Sequence, residues 1–163
     1  MSDEFVEAVR LVYEERLDDL CSVVAAITRD RDGARDVVHE AFASALRSRG
    51  QYRGEGDLAA WIWRIVVNRA RDQRRRRHAD VVESVLEHVE DAAARPDRSG
   101  DGRLAAAVQA LPERQRLVVF LRYYADLDYR QIGEVLGIAT GTVSAALNAA
   151  HLTLGRQLNE VEQ

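Results

Sequence analysis

Lysine is absent from this sequence. All 23 basic residues are arginine, so their charge persists at any physiological pH, and their planar forks favour bidentate and stacking contacts. Cysteine occurs once, at Cys21, which excludes an internal disulfide framework and a cysteine-rich metal site and leaves the thiol as a small buried hydrophobe. Proline occurs twice and aromatic residues make up only 6% of the chain, while Ala, Leu, Val, Glu and Arg recur throughout, a composition that favours helix. Uninterrupted apolar runs such as Leu117 to Leu121 are far too short to span a bilayer, and the acidic start MSDEFVEAV lacks the basic stretch of a signal peptide. No membrane insertion and a cytoplasmic location are therefore expected.

The 163 residues, 47% of them hydrophobic, suffice for one domain or two small ones. A net charge of −4 would not suggest a nucleic-acid binder, but the charge is unevenly divided. Residues 1–46 hold 5 Arg against 11 acids, residues 47–77 hold 10 Arg against 3, and residues 104–163 hold 5 Arg against 6. A strongly basic segment thus follows an acidic one, and the C-terminal part is nearly neutral.

Periodicity predicts an all-α chain. Two short helices are expected at about Glu4–Tyr13 and Glu15–Arg29. From Ala34 to Leu46 the apolar residues Ala34, Val37, Val38, Ala41, Phe42 and Ala45 mark one helical face. QYRGEGD breaks the period, and Asp57 is a good N-cap for a helix running to about His78. On that helix, turning 100° per residue sets Trp61, Ile62 and Ile65 on one side and Trp63, Arg64, Val67 and Arg71 opposite. The first side is expected to be core, and the second an aromatic surface edged with Arg. The stretch from His78 to Arg103 has an acidic first half, with a short helix expected, and a second half rich in Pro, Gly, Ser and Asp that reads as a linker. Beyond it, helices are expected near Leu104–Ala110, after Pro112, after Asp128, and from about Thr142 to Leu158. Gly137 should take a left-handed turn between the last two, with Thr140 as a cap, which is helix-turn-helix spacing.

The three stretches DRDGARDVVHEAFASALR, YRGEGDLAAWIWRIVVNRARDQRRRR and LPERQRLVVFLRYYADLDYRQIGEVLGIATGTV occur in the order, and at the spacing, of a known family. Together they make the chain resemble a bacterial RNA polymerase sigma factor of the extracytoplasmic function group. The resemblance implies a region 2-like domain over 1–78, a linker over 79–103 and a region 4-like helix-turn-helix domain over 104–163. It implies that Asp36, His39, Glu40 and Arg47 face core RNA polymerase. Tyr52, Arg53, Trp63, Arg64, Asn68, Arg71 and the run Arg74, Arg75, Arg76 and Arg77 would engage promoter DNA at minus 10. Arg on phosphates and aromatic faces on unpaired bases suit opened DNA. Thr140, Thr142, Ser144, Asn148 and His151 would engage the minus-35 element.

One departure from the family pattern concerns the recognition helix. Where relatives commonly carry Lys or Arg, this chain has Ser144, Ala146, Ala149 and His151, so its reading would rest on neutral donors and the helix dipole. Arg114, Arg116, Arg122 and Arg130 are further candidates for phosphate contacts. An anti-sigma factor is an implied partner.

No enzyme activity, cofactor or metal is expected. His39-Glu40 lacks the second His of a zinc-protease helix, and His78, His88 and His151 show no ligand spacing with Cys21. Two alternatives stand beside the sigma-factor reading. One is a sigma-like adaptor or decoy with impaired minus-35 reading. The other is a stand-alone helix-turn-helix regulator, which the near-neutral C-terminal part disfavours.

Overall fold

The computed structural model describes residues 2–84 and 100–159, and among these every regular element is helical. A first lobe comprises α1 (Ser2–Thr28), α2 (Ala34–Arg47) and α3 (Leu58–Ser84), and a second comprises α4 (Gly100–Ala110), α5 (Glu113–Tyr123), α6 (Tyr129–Leu136) and α7 (Thr140–Asn159). The expected short helix of the acidic stretch falls, past Ser84, outside the described residues. Helix occupies both ends of the 79–103 segment.

In place of the two short helices expected at the N-terminus there is one helix of 27 residues. No Gly or Pro separates the halves, and Arg10 ties them by pairing with Glu14 at 2.6 Å, one turn on. Asp30 organises the turn into α2, its Oδ1 accepting from the Gly33 N–H at 3.0 Å. The Asp57 cap is as expected: its Oδ1 accepts from the Ala59 N–H at 2.9 Å and opens α3.

The first lobe closes around Leu20, Val23, Val24 and Ile27 of α1, Val37 and Val38 of α2, and Ile62 and Val66 of α3, all essentially inaccessible. Each such side chain contributes about 1.5–3 kcal/mol on leaving water. In the second lobe Leu121, Ile132, Val143, Leu147 and Ala150 do the same for α5, α6 and α7. Arg116 is 3% exposed, and it donates to the carbonyls of Gln109 at 2.9 Å and Leu111 at 3.4 Å. It thus satisfies carbonyls left open at the end of α4. This removes Arg116 from the candidates for phosphate contact.

α6 opens with a reciprocal capping box between Asp128 and Gln131 and closes on Gly137 at φ 67°. α6 and α7 meet at 102°, the angle of a helix-turn-helix. Gly133 makes the sharp turn possible: a Cβ there would lie 2.7 Å from the Ile138 carbonyl oxygen. The α7 boundary differs from expectation. Thr140 is its first helical residue, and Ala139 holds the cap position, its carbonyl accepting from Thr142 at 2.9 Å and Val143 at 3.1 Å.

The lobes are packed together. α3 lies against α6 and α1 against α5. Gln131 Nε2 donates to Asp57 Oδ2 at 2.7 Å, Arg71 faces Glu113 at 3.8 Å, and Arg16 donates to the Ala125 carbonyl.

Candidate nucleic-acid and polymerase interface

Asp36, His39, Glu40 and Arg47 lie within about 100° of one another around α2, and all four are exposed. Two of them are held from behind. His39 Nε2 bonds the Tyr13 hydroxyl at 2.7 Å, and Glu40 pairs with Arg69 of α3 at 3.0 Å. The result is a polar, pre-arranged helix face beside the basic half of α3.

The loop from Tyr52 to Asp57 turns through Gly54 at φ 71° and Gly56 at φ 109°, backbone that favours glycine. Tyr52 braces it by donating from its hydroxyl to the Gly56 carbonyl at 2.9 Å. Three rings support the loop: Tyr52 and Trp61 lie 5.4 Å apart between centroids, and Phe5 sits 5.9 Å from Tyr52 and 6.2 Å from Trp61. Arg53, on the same loop, is exposed.

The aromatic surface expected at Trp63 and Val67 is not found. Trp63 and Val67 are 0% exposed, whereas Trp61 and Ile65, assigned to the core from the sequence, are half-buried. The reason is that α3 packs on α1 and α2 on one side and on α6 on another, so its buried arc, from Ile62 round to Ala60, is about 160° wide. A 100° stripe argument presumes one partner face. The indole N–H of Trp63 has no acceptor among the described residues.

What α3 does expose is a polar stripe of Arg64, Asn68, Asp72 and Arg75, and off that stripe Arg76 and Arg77 are exposed as well. The arginines differ in freedom. Arg75 pairs with Asp72 at 3.1 Å, and Arg77 reaches Asp30 at 2.6 Å. Arg71 and Arg74 are partly buried, and one Arg74 terminal nitrogen is buried without a partner among the described residues. The Gly33 amide first, and then Arg77, hold the Asp30 carboxyl below its ordinary value.

On α7 the outward stripe reads Gly141, Ala145, Asn148 and Leu152, with Thr142 and Ser144 half-buried on its flanks. His151 bonds the Tyr123 hydroxyl at 2.9 Å and lies about 16 Å along the axis from Thr140. Of the other arginines in this lobe, Arg130 pairs with Glu134 at 3.3 Å, Arg122 reaches the Leu127 carbonyl at 3.4 Å, and Arg114 is exposed. The sequence reading missed Trp61 as a loop brace, Gly133, Ala145 and the second use of Gln131. A D-x-x-Q box at Asp128–Gln131 was legible, but its bond to Asp57 was not.

A helix-turn-helix lobe joined to an Arg-lined helical lobe with a braced loop defines a DNA-engaging transcription protein, and the comparisons give its family. Residues 12–80 match the model of Sigma-70 region 2, and residues 101–154 match that of Sigma-70, region 4. RNA polymerase sigma factor CarQ of Myxococcus xanthus is 30% identical over 143 residues, covering 85% of this chain and 82% of that protein. ECF RNA polymerase sigma factor SigW of Bacillus subtilis is 25% identical over 178 residues, covering 98% of this chain and 91% of that protein. The fold is shared with the sigma factor RpoE from Bartonella quintana, solved in complex with the anti-sigma factor NepR. That likeness has a TM-score of 0.78 at 23% identity, over 96% of this chain and 97% of the other.

The chain belongs to the sigma-70 family. Within it, the chain is a sigma factor of the extracytoplasmic function group, a protein that binds core RNA polymerase and promoter DNA and directs transcription initiation. The comparisons do not favour the adaptor or decoy alternative over this assignment.

Proposed function

We propose that initiation is divided between the lobes, with residues 1–78 docking on polymerase and reading minus 10, 79–103 acting as the connection, and 104–163 reading minus 35. Asp36, His39, Glu40 and Arg47 form the polymerase contact. The observation that carries this division is that α2 and α3 present separate exposed polar faces, one mixed in charge and one dominated by arginine.

The Tyr52–Asp57 loop, with Arg53 at its tip, receives an unstacked minus-10 base. Arg64, Asn68 and Arg71 line the separated strands, and Arg74, Arg75, Arg76 and Arg77 neutralise phosphates. Trp63 leaves this set because it is core. Trp61 enters as the brace of the loop.

Minus-35 reading falls to the first two turns of α7. The amides at Thr140 and Gly141, which open α7 and have no backbone acceptor in the turn among the described residues, suit a phosphate. Thr142, Ser144 and Asn148 supply hydrogen bonds, and Ala145 offers a small apolar contact for a thymine methyl. His151, held by Tyr123, lies beyond this reading end.

The protein acts without bond-making chemistry of its own, works in the cytoplasm and is restrained by an anti-sigma factor. No single helix among the described residues is long and apolar enough to cross a membrane. The likeness to a sigma fold solved with an anti-sigma factor supports that partner class.

Run-off transcription with purified core polymerase tests the division. Asp36→Arg combined with Arg47→Glu should abolish holoenzyme assembly while the free chain melts normally. Thr142→Ala, Ser144→Ala and Asn148→Ala together should leave assembly intact but remove the preference for the upstream element. Normal assembly by the first variant refutes the α2 assignment, and an undiminished preference in the second refutes the α7 assignment.

A further inference from the structure

The outward stripe of α7 carries no formal charge. Gly141, Ala145, Asn148 and Leu152 lie within about 60° of one another around the helix, opposite the buried Val143 and Ala150. Residues 140–155 include no Arg, Lys, Asp or Glu, and the first such residue is Arg156, about 24 Å along the axis from Thr140. In a helix-turn-helix the N-terminal turns of the second helix meet the base edges, so Arg156 lies beyond them.

Base edges in the major groove differ in what they ask of a side chain. Guanine presents two acceptors, O6 and N7, and takes the paired donors of Arg or Lys, whereas cytosine presents a donor at N4 and takes a carboxylate. The stripe offers neither. Adenine presents a donor at N6 beside an acceptor at N7, and a single carboxamide satisfies both with its oxygen and its NH2. Asn148 is the one carboxamide among residues 140–155. It is exposed and makes no hydrogen bond among the described residues. The polar groups around it are occupied or undiscriminating: His151 bonds Tyr123, Thr153 donates to the Ala149 carbonyl, and the hydroxyls of Thr142 and Ser144 suit any base.

Reach is the second condition. Asparagine is short, so the backbone of α7 must come close to the bases. Between the helix start and Asn148 the stripe holds Gly141 and Ala145, with nothing bulkier than a methyl to keep the groove away. Ala145 precedes Asn148 by about 4.5 Å of helix rise, comparable to the step of about 3.4 Å between stacked bases. Its methyl is spaced to meet the C5-methyl of a thymine in the adjoining pair. Leu152, one turn beyond Asn148, adds apolar surface without a donor or acceptor.

We propose that α7 reads two neighbouring A·T pairs, Asn148 holding an adenine through N6 and N7 and Ala145 packing on the thymine methyl of the next, with no guanine contact from this helix. It rests on the minus-35 role of α7 proposed above, and it names the bases that role selects.

The test uses holoenzyme assembled from core polymerase and the full-length chain. Promoters carrying one fixed minus-10 element and a randomised upstream element are selected for open-complex formation and sequenced. The wild type should enrich adjacent A·T pairs. Single-atom changes in the selected promoter then locate the contacts. At one position 7-deazaadenine, which lacks N7, should lower initiation roughly fivefold or more, and at its neighbour uracil, which lacks the methyl of thymine, should lower it less. Replacing any upstream guanine with 7-deazaguanine should change nothing. Asn148→Ala should cut the preference for adenine by roughly five- to a hundredfold, with helix content and holoenzyme assembly unchanged, and Asn148→Arg should transfer it to guanine.

An upstream element dominated by guanine and sensitive to its N7 would overturn the assignment while leaving α7 a reader of DNA. So would an adenine preference that survives Asn148→Ala. If the wild type enriches no upstream sequence at all, the minus-35 role itself fails, and the base assignment fails with it.

Discussion

Gly133 and Ile138 meet back to back in the helix-turn-helix: the Ile138 N–H donates to the Gly133 carbonyl at 3.0 Å, while a Cβ on Gly133 would lie 2.7 Å from the Ile138 oxygen. The atom in the way is backbone, so no side-chain rotation relieves it. Gly133→Ala should cost about 1–3 kcal/mol, the scale of overpacking, despite the better helix propensity of alanine. Chemical denaturation of the full chain measures it, and a neutral or stabilising result would show that the turn can relax.

Trp63 and Trp61 should respond oppositely to truncation. Trp63→Ala empties the first-lobe core and should cost about 3–5 kcal/mol. Trp63→Phe keeps a ring and removes an N–H without an acceptor among the described residues, so its cost should be clearly smaller. Trp61→Ala should lower the melting temperature less and impair minus-10 opening by polymerase more, because it removes the brace behind Tyr52. Equal losses of stability for the two alanine variants would contradict this division.

Acid should loosen the turn into α2. The Asp30 carboxyl lies below its ordinary value, chiefly through the Gly33 amide and then Arg77. Its stabilising contribution is complete above the unfolded-state value of about 3.9 and is lost as pH falls through the lower folded value. Arg77→Gln should remove part of that contribution, less than about 1 kcal/mol since the pair is partly solvated, and should narrow the stability difference between about pH 6 and about pH 2.5. Parallel melting curves for variant and wild type across that range would count against the pairing.

Arg75 and Arg76 are exposed, so replacing both with Gln should leave the fold intact. The salt dependence of promoter binding by the holoenzyme should then flatten, by about 0.9 in log-log slope for each duplex phosphate left unneutralised and about 0.7 on single strands. An unchanged slope would return both residues to ordinary solvated surface.

The α2 face, the Asp57 cap and the Gly137 turn were legible in the sequence because each depends on residues within one or two turns. Trp63 was not, since α3 as a whole packs on α1, α2 and α6, and a helical wheel contains no information about a second packing partner. Thr140 yields the cap role to Ala139 for a similar reason: the close packing at Gly133 and Ile138 sets where the turn ends, and Ala139 serves through its backbone carbonyl. The fate of Arg116 was equally hidden, because the carbonyls it satisfies belong to the preceding helix.

The two indoles also give the protein an internal optical gauge. Trp63 sits wholly inside the core and Trp61 at the edge of a half-buried ring cluster, so their emission should differ in colour and in access to a dissolved quencher. Iodide should dim the redder component and spare the bluer one. Seating a flipped base against the Tyr52 loop would shield the first alone, so the arrival of promoter DNA could be followed in real time with no attached dye.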